Sequence, residues 1–322
     1  MEPVLPQHNI ALLNYPGAQL AALYGLKDMF EVANRLAEGQ TNSVLKPHIV
    51  DLFEDTATHL HDLPTCAALI APPSLSAEKH TGQGAVHHWI KTQHQKGALI
   101  CSACAGAYLL AATGLLNGRT ATTHWALKQE FSETYPSVQL NTDQLIVDEG
   151  DIITAGGVMA WTDLGLRVVE RFLGPAIMLD LAHQLLIEPG RCEQRLFSAF
   201  RPELHHGDAT ILKVQHWLQT TFTTRVTVKG MAEHAGLTSR TFLRRFYRAT
   251  GLNPKAYLQL LRVEKARRQL ELTPKPVNEI AWAVGYEDPT AFRRIFLRIV
   301  GLPPGEYRKR FSVEAARQAL ER

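Results

Sequence analysis

The 322 residues are 45% hydrophobic and 20% charged, ordinary proportions that support real cores, and the length favours two domains over one. Four cysteines in a chain this long exclude a disulfide scaffold and fit a reducing compartment. The opening stretch MEPVLPQHNIALLNYPGAQ has no basic-then-apolar leader, and no apolar run approaches the roughly 20 residues of a membrane helix. A soluble, cytoplasmic protein with no membrane partner is the expectation.

The net charge of +3 hides an asymmetry. Residues 210–322 hold 21 Lys/Arg against 9 Asp/Glu, while the other 209 residues hold 13 against 22. An acidic two-thirds followed by a basic third suggests two tasks, the second directed at a polyanion, most simply nucleic acid. Charge alone also fits a merely solvated basic surface.

NIALLNY (9–15) is an apolar run that stops at Pro16-Gly17 and predicts a buried first strand. Residues 18–37 are helical in period and composition. LKPHIVDLF (45–53) and AALIAPP (67–73) predict further strands, and GAVHHWIKTQHQKG (84–97) a helix. ALICS (98–102) predicts a strand running straight into a helix over CAGAYLLAATGLL (104–116). NGRTATTHW (117–125) puts His124 at the end of another strand. Strands alternating with helices predict an α/β domain: a mostly parallel sheet with flanking helices, which gathers ligands at the carboxyl ends of its strands. In EPGRCEQRLFSAFRPELHHGDAT (188–210), Gly, Pro, His and charge replace periodicity, so this stretch reads as a hinge. The expected domains are 1–190 and 210–322, with 191–209 as linker.

The basic third repeats itself at a spacing of 50 residues: Phe242 and Phe292, Phe246 and Phe296, Gly251 and Gly301, Tyr257 and Tyr307. Two copies are too few for a solenoid. Each copy instead reads as a helix-turn-helix in an all-α domain. A short helix (228–235 or 277–284) ends at a glycine, and Thr238 or Ser239 in one copy, or Asp288 followed by Pro289 in the other, caps the next. The Phe pairs lie one turn apart and face a core, which turns Arg240 and Arg244, or Thr290, Arg293 and Arg294, the other way. Arginine suits guanine edges and phosphates because its planar fork donates two parallel hydrogen bonds. PKAYLQLLRVEKARRQLEL (254–272) reads as one helix joining the two units.

SRTFLRRF, RVEKARRQLE, VNEIAWAVGYEDPTAFRRIF and GLPPGEYRKRF resemble the AraC-type DNA-binding domain along its whole length. The resemblance implies that Arg240, Thr241 and Arg244 face bases of double-stranded DNA in the first unit, and Thr290, Ala291, Arg293 and Arg294 in the second. Two positions depart from the pattern: Pro289 takes an often polar place, and Leu243 is apolar where some members carry a polar reader.

Within LICSACAGAYLLA (99–111), Cys104 sits where a short strand turns sharply into a helix between small neighbours. That is the logic of a nucleophile elbow, and a helix N-terminus lowers a thiol pKa. Cys104 followed by His124 is the minimum for an activated thiol. Cys101 instead belongs inside the strand and packs as a small apolar group, which argues against a Cys101–Cys104 redox pair. No cysteine and histidine spacing suggests a metal. Inert packing of Cys104, and a buried hydrogen-bonded His124 caged by Thr122, Thr123 and Trp125, are the bland alternatives.

CAGAYLLAATGLLNGRTATTHW and ITAGGVMAWTDLGLRVVERFLG (152–174) resemble the class I glutamine amidotransferase-like, or PfpI-like, superfamily over roughly residues 8–190. In that superfamily an elbow cysteine works with a histidine and an acid, and Cys104 and His124 match the first two. The acid is expected near Ala22, where none stands; Asp28 and Asp163 are the nearest substitutes. Cys104, His124, Ala105, Tyr15, Gly17 and Trp161 form the candidate pocket, with no catalytic set and no cofactor assigned. The fusion looks like a subfamily of bacterial transcription regulators. That implies a small-molecule effector, a homodimer formed through the N-terminal domain, and RNA polymerase as a partner. The alternative is a thiol-dependent hydrolase or amidotransferase, using Cys104 and His124, fused to a DNA-binding module.

Overall fold

The structure, a computed structural model, describes residues 6–53, 60, 63–76, 84–191, 193–314 and 317. The chain folds as two units, Met1–Arg195 and Leu196–Arg322.

The first unit alternates strands and helices: β1 (Gln7–Asn14), α1 (Leu20–Ala37), β2 (Val44–Asp51), β3 (Ala68–Ala71), α2 (Gly84–Gln95), β4 (Leu99–Ala103) and α3 (Gly106–Ala112). Next come β5 (Thr120–Ala121), α4 (Lys128–Thr134), β6 (Gln139–Leu140), β7 (Ile146–Asp148), β8 (Ile152–Ala155), α5 (Trp161–Leu173) and α6 (Pro175–Gln184). The main sheet has the order β2-β1-β3-β4-β8-β7, with β7 antiparallel to β8 and every other pairing parallel. This is the α/β architecture expected from the alternation of strands and helices.

The sheet is covered on both faces, and the side-chain period of two assigns residues to each. Ile10, Leu12, Ile70, Cys101 and Ile153 pack with α1, α5 and α6. Ala11, Leu13, Leu69, Ile100 and Ile152 pack on the other face with α2 and α3. Near-continuous apolar strands such as β3 and β4 need this double cover.

Two elements are shorter than the sequence suggests. Helix α3 starts two residues after Cys104 and stops at Ala112. Thr113 turns its hydroxyl back onto the Leu110 carbonyl, and Gly114 follows with φ 81°. Strand β5 has only two residues, and it pairs with β6 outside the main sheet. His124 therefore lies three residues beyond a strand end, at the start of a 3-10 turn over Trp125–Leu127.

The second unit is helical: α7 (Ala209–Thr221), α8 (Val228–His234), α9 (Ser239–Thr250), α10 (Pro254–Leu272), α11 (Val277–Ala283), α12 (Pro289–Val300) and α13 (Pro304–Phe311). Helices α8 and α9 form one helix-turn-helix and α11 and α12 the other, with α10 joining them over the residues read from sequence. Phe242, Phe246, Phe292 and Phe296 are fully buried. Burial of such a ring contributes roughly 1.5–3 kcal/mol. Gly251 and Gly301 end their helices in the left-handed conformation, with φ 67° and 89°.

The stretch read as a hinge is divided between the two units. Gln194 donates to the Thr123 carbonyl at 2.7 Å in the first unit. In the second, buried Arg267 donates to the carbonyls of Leu196 and Ser198, and Phe200 donates its N–H to Glu264. Asp208 caps α7 through the Ile211 N–H and also accepts two hydrogen bonds from Arg245 of α9, at 2.7 and 2.9 Å. The Arg245 guanidinium holds the Asp208 carboxyl below its ordinary value.

Two outcomes are expected. A Cβ on Gly106 would run into the carbonyl oxygens of Ala71 and Pro72, so Gly106→Ala should destabilise the first unit by about 1–3 kcal/mol in urea unfolding. The Asp208 carboxyl is depressed in the folded state, so its contribution is present above the unfolded carboxylate value of about 4 and lost as pH falls below it. Wild type should therefore exceed Asp208→Asn in stability at pH 7, and the gap should narrow in melts as pH falls below about 4.

Candidate functional site

Two sites emerge: the carboxyl edge of the sheet around Cys104, and the outward faces of α9 and α12.

At the first, the chain leaves β4 and must reverse within two residues. Cys104 takes φ 52°, a left-handed value that L side chains rarely adopt, and shares this among the described non-glycine residues only with Leu186. Strain of this kind collects at functional sites. The surroundings hold it in place. The Cys104 N–H donates to the Ala155 carbonyl at 2.8 Å, and its carbonyl accepts from the Thr123 hydroxyl at 2.7 Å. Gly106 is needed because α3 starts against the backbone of Ala71 and Pro72. Cys104 and Ala105 are both buried, on the same face as Tyr15. The Tyr15 hydroxyl donates to the Pro72 carbonyl. Burial pushes the Tyr15 phenol well above its ordinary range, and the Cys104 thiol adds to that shift. Cys104 and Tyr15 therefore share one electrostatic environment.

His124 is half-buried and accepts the Ala126 N–H at Nδ1, 3.1 Å away, which in the neutral ring places the proton on Nε2. Its ring lies 5.1 Å from that of Trp125. Sequence reasoning missed the residue that fixes this loop, Gln194. It is buried, donates to the Thr122 hydroxyl and the Thr123 and Gln144 carbonyls, and accepts the Trp125 N–H. Gly156 leaves the room it occupies.

The other pocket candidates sit differently. Gly17 has φ 80° and is closed over by Ser74 and Ser76, with 2.9 Å from its missing Cβ to the Ser74 hydroxyl. Trp161 packs on the opposite face of the sheet from Cys104, its ring filling the space above Gly25 of α1 at 2.5 Å from a notional Cβ. The expected third group is absent from the places considered. Ala22 is fully buried and Asp28 is exposed. Asp163 is 6% exposed and accepts from Arg191 at 2.5 and 3.0 Å, which makes it half of a structural ion pair. Cys101 is fully buried against α1 and α5, and burial raises its thiol far above the ordinary value. The two thiols of the Cys-x-x-Cys stretch thus point to opposite faces of the sheet. Among the described residues, no group of three or more His, Cys, Asp and Glu could hold a metal ion.

At the second site, Thr238 caps α9 through the Thr241 N–H, and Asp288 caps α12 through the Thr290 and Ala291 N–H groups. Those backbone bonds hold the Asp288 carboxyl below its ordinary value. With the Phe pairs inward, Arg240, Leu243, Arg244 and Tyr247 are exposed on α9, and Thr290, Arg293, Arg294 and Leu297 on α12. Thr241 and Ala291 are half-buried beside their caps. Arg293 donates to the Asn278 side chain at 2.7 Å. Among the described residues no hydrogen bond or ion pair engages Arg240, Arg244 or Arg294. Two helices of one shape thus turn guanidinium groups to solvent.

The DJ-1/PfpI family model matches residues 67–171, and a helix-turn-helix domain model matches residues 231–310. The HTH-type transcriptional regulator CdhR of Pseudomonas aeruginosa is 29% identical over 213 residues, 65% of this chain and 62% of that one. The HTH-type transcriptional regulator GlxA of Rhizobium meliloti is 27% identical over 295 residues, 88% of each chain. Isonitrile hydratase of Pseudomonas putida is 26% identical over 172 residues, 51% of this chain and 72% of the enzyme. No described helix is long and apolar enough to cross a membrane. The chain thus carries a DJ-1/PfpI-family domain followed by an AraC-type helix-turn-helix domain.

Proposed function

We propose that this protein is a cytoplasmic, sequence-specific DNA-binding transcription regulator that binds as a homodimer and works through RNA polymerase. The observation that carries the reading is the pair of capped helices α9 and α12, whose buried phenylalanines leave Arg240, Arg244, Arg293 and Arg294 on exposed faces. Helices of this kind enter the major groove, and α10 holds two of them on one continuous element. The names of CdhR and GlxA support the same reading. The N-terminal domain is the sensor, and its small-molecule effector sits at the carboxyl edge of the sheet by Cys104, Tyr15 and His124.

A thiol enzyme is the second reading, favoured by the left-handed elbow at Cys104 and by the likeness to isonitrile hydratase. Against it stand Ala22 where an acid is expected and Asp163 engaged by Arg191.

The full chain should bind duplex DNA with an affinity that falls steeply with salt, as counterion release requires. Arg244→Ala and Arg294→Ala should each weaken a selected site tenfold or more in fluorescence anisotropy, the scale of a lost bidentate base contact of about 1–3 kcal/mol. Salt-insensitive or absent binding would overturn the regulator reading. Cys104→Ser should leave DNA affinity unchanged and alter the thermal shift given by an effector. Amide or nitrile-type turnover by wild type that disappears in Cys104→Ser would instead establish the enzyme.

A further inference from the structure

The two base-facing helices are alike in frame and unlike in chemistry. At a spacing of 50 residues, Arg240 corresponds to Thr290, Leu243 to Arg293, Arg244 to Arg294 and Tyr247 to Leu297. These positions run i, i+3, i+4, i+7 and form one stripe on each helix, opposite the buried phenylalanines. In α12 the stripe is Thr-Arg-Arg-Leu; in α9 it is Arg-Leu-Arg-Tyr. Leu243 is 42% exposed in the middle of the α9 stripe, flanked by two cations that no described residue pairs.

A single exposed leucine is ordinary on a protein surface and needs no explanation. This one lies within a turn of two guanidinium groups, on a face that a polyanion must cover if the regulator reading holds. Its counterpart Arg293 carries a bidentate donor. An aliphatic side chain set among arginines in a major groove meets one base-edge feature of matching character, the C5-methyl group of thymine.

We infer that Leu243 is a specificity-determining residue that reads a thymine methyl group in the half-site of the first helix-turn-helix, where the second uses Arg293 to read a guanine. The two half-sites of the operator then differ in sequence although the two units share one frame. This inference rests on the DNA-binding reading above.

The test uses the full chain. Sites are selected from a random-sequence duplex library, and each thymine of the enriched site is then replaced in turn by deoxyuridine, which removes only the methyl group. Wild type should lose about fourfold in affinity at one thymine of the first half-site, the worth of one methyl group removed from water. Leu243→Ala should bind that site more weakly and show no further loss on the uracil replacement. Leu243→Arg should shift the selected base at that position from thymine to guanine. An unchanged salt slope in both variants confirms that they fold and still grip the backbone. An enriched site at which Leu243→Ala keeps the full uracil penalty, or at which no thymine responds, overturns this inference and leaves the regulator reading standing. Failure to enrich any sequence removes the regulator reading, and this inference with it.

Discussion

The carboxyl edge of the sheet depends on how closely α3 begins against β3. Only a hydrogen atom fits where Gly106 meets the carbonyls of Ala71 and Pro72. That approach leaves two residues for the reversal after β4, and the strained one is Cys104, held at φ 52° by the Ala155 carbonyl on one side and the Thr123 hydroxyl on the other. Pro72 in turn receives the Tyr15 hydroxyl from the end of β1. The backbone of Cys104 is thus pinned from β8 and from the loop after β5, next to the close approach of α3 to the end of β3, and left-handed strain of this kind persists only where the surroundings over-determine it.

The second unit applies a different economy. Its two helix-turn-helix modules share cap, phenylalanine pair and terminal glycine, so the frame is fixed by buried and backbone groups. The exposed positions are then free to differ. The side chains that hold the frame and those that are exposed lie on opposite faces of the same helices, so a change on the exposed face leaves the frame largely untouched.

Much of this is legible in the sequence. Period and capping signals placed the elements from β1 to α3 to within a few residues and left α4 and everything from β6 to α6 unread; they placed α10 without error, because Asn253-Pro254 and Thr273-Pro274 punctuate both ends. The arginine faces followed from the spacing of the phenylalanines. What escaped were groups whose meaning lies in a distant partner. Gln194 sits in a stretch without periodicity, and nothing local announces that its amide reaches Thr122, Thr123 and Gln144. Arg191 meets Asp163 from 28 positions away, so the acid that looked available in sequence is occupied in the fold. Strand β5 is too short to carry a pattern, and His124 was placed one element too early for that reason.

The assignment of Cys101 and Cys104 to opposite faces of the sheet has a chemical consequence. Thiol–disulfide exchange needs the two sulfur atoms in line of attack. A sulfenic acid formed on Cys104 would find the neighbouring cysteine of its own motif walled off by a strand. Oxidative damage there could not be resolved within the motif: a thiol from elsewhere would condense with the sulfenic acid, releasing water, and a second thiol would have to reduce the mixed disulfide.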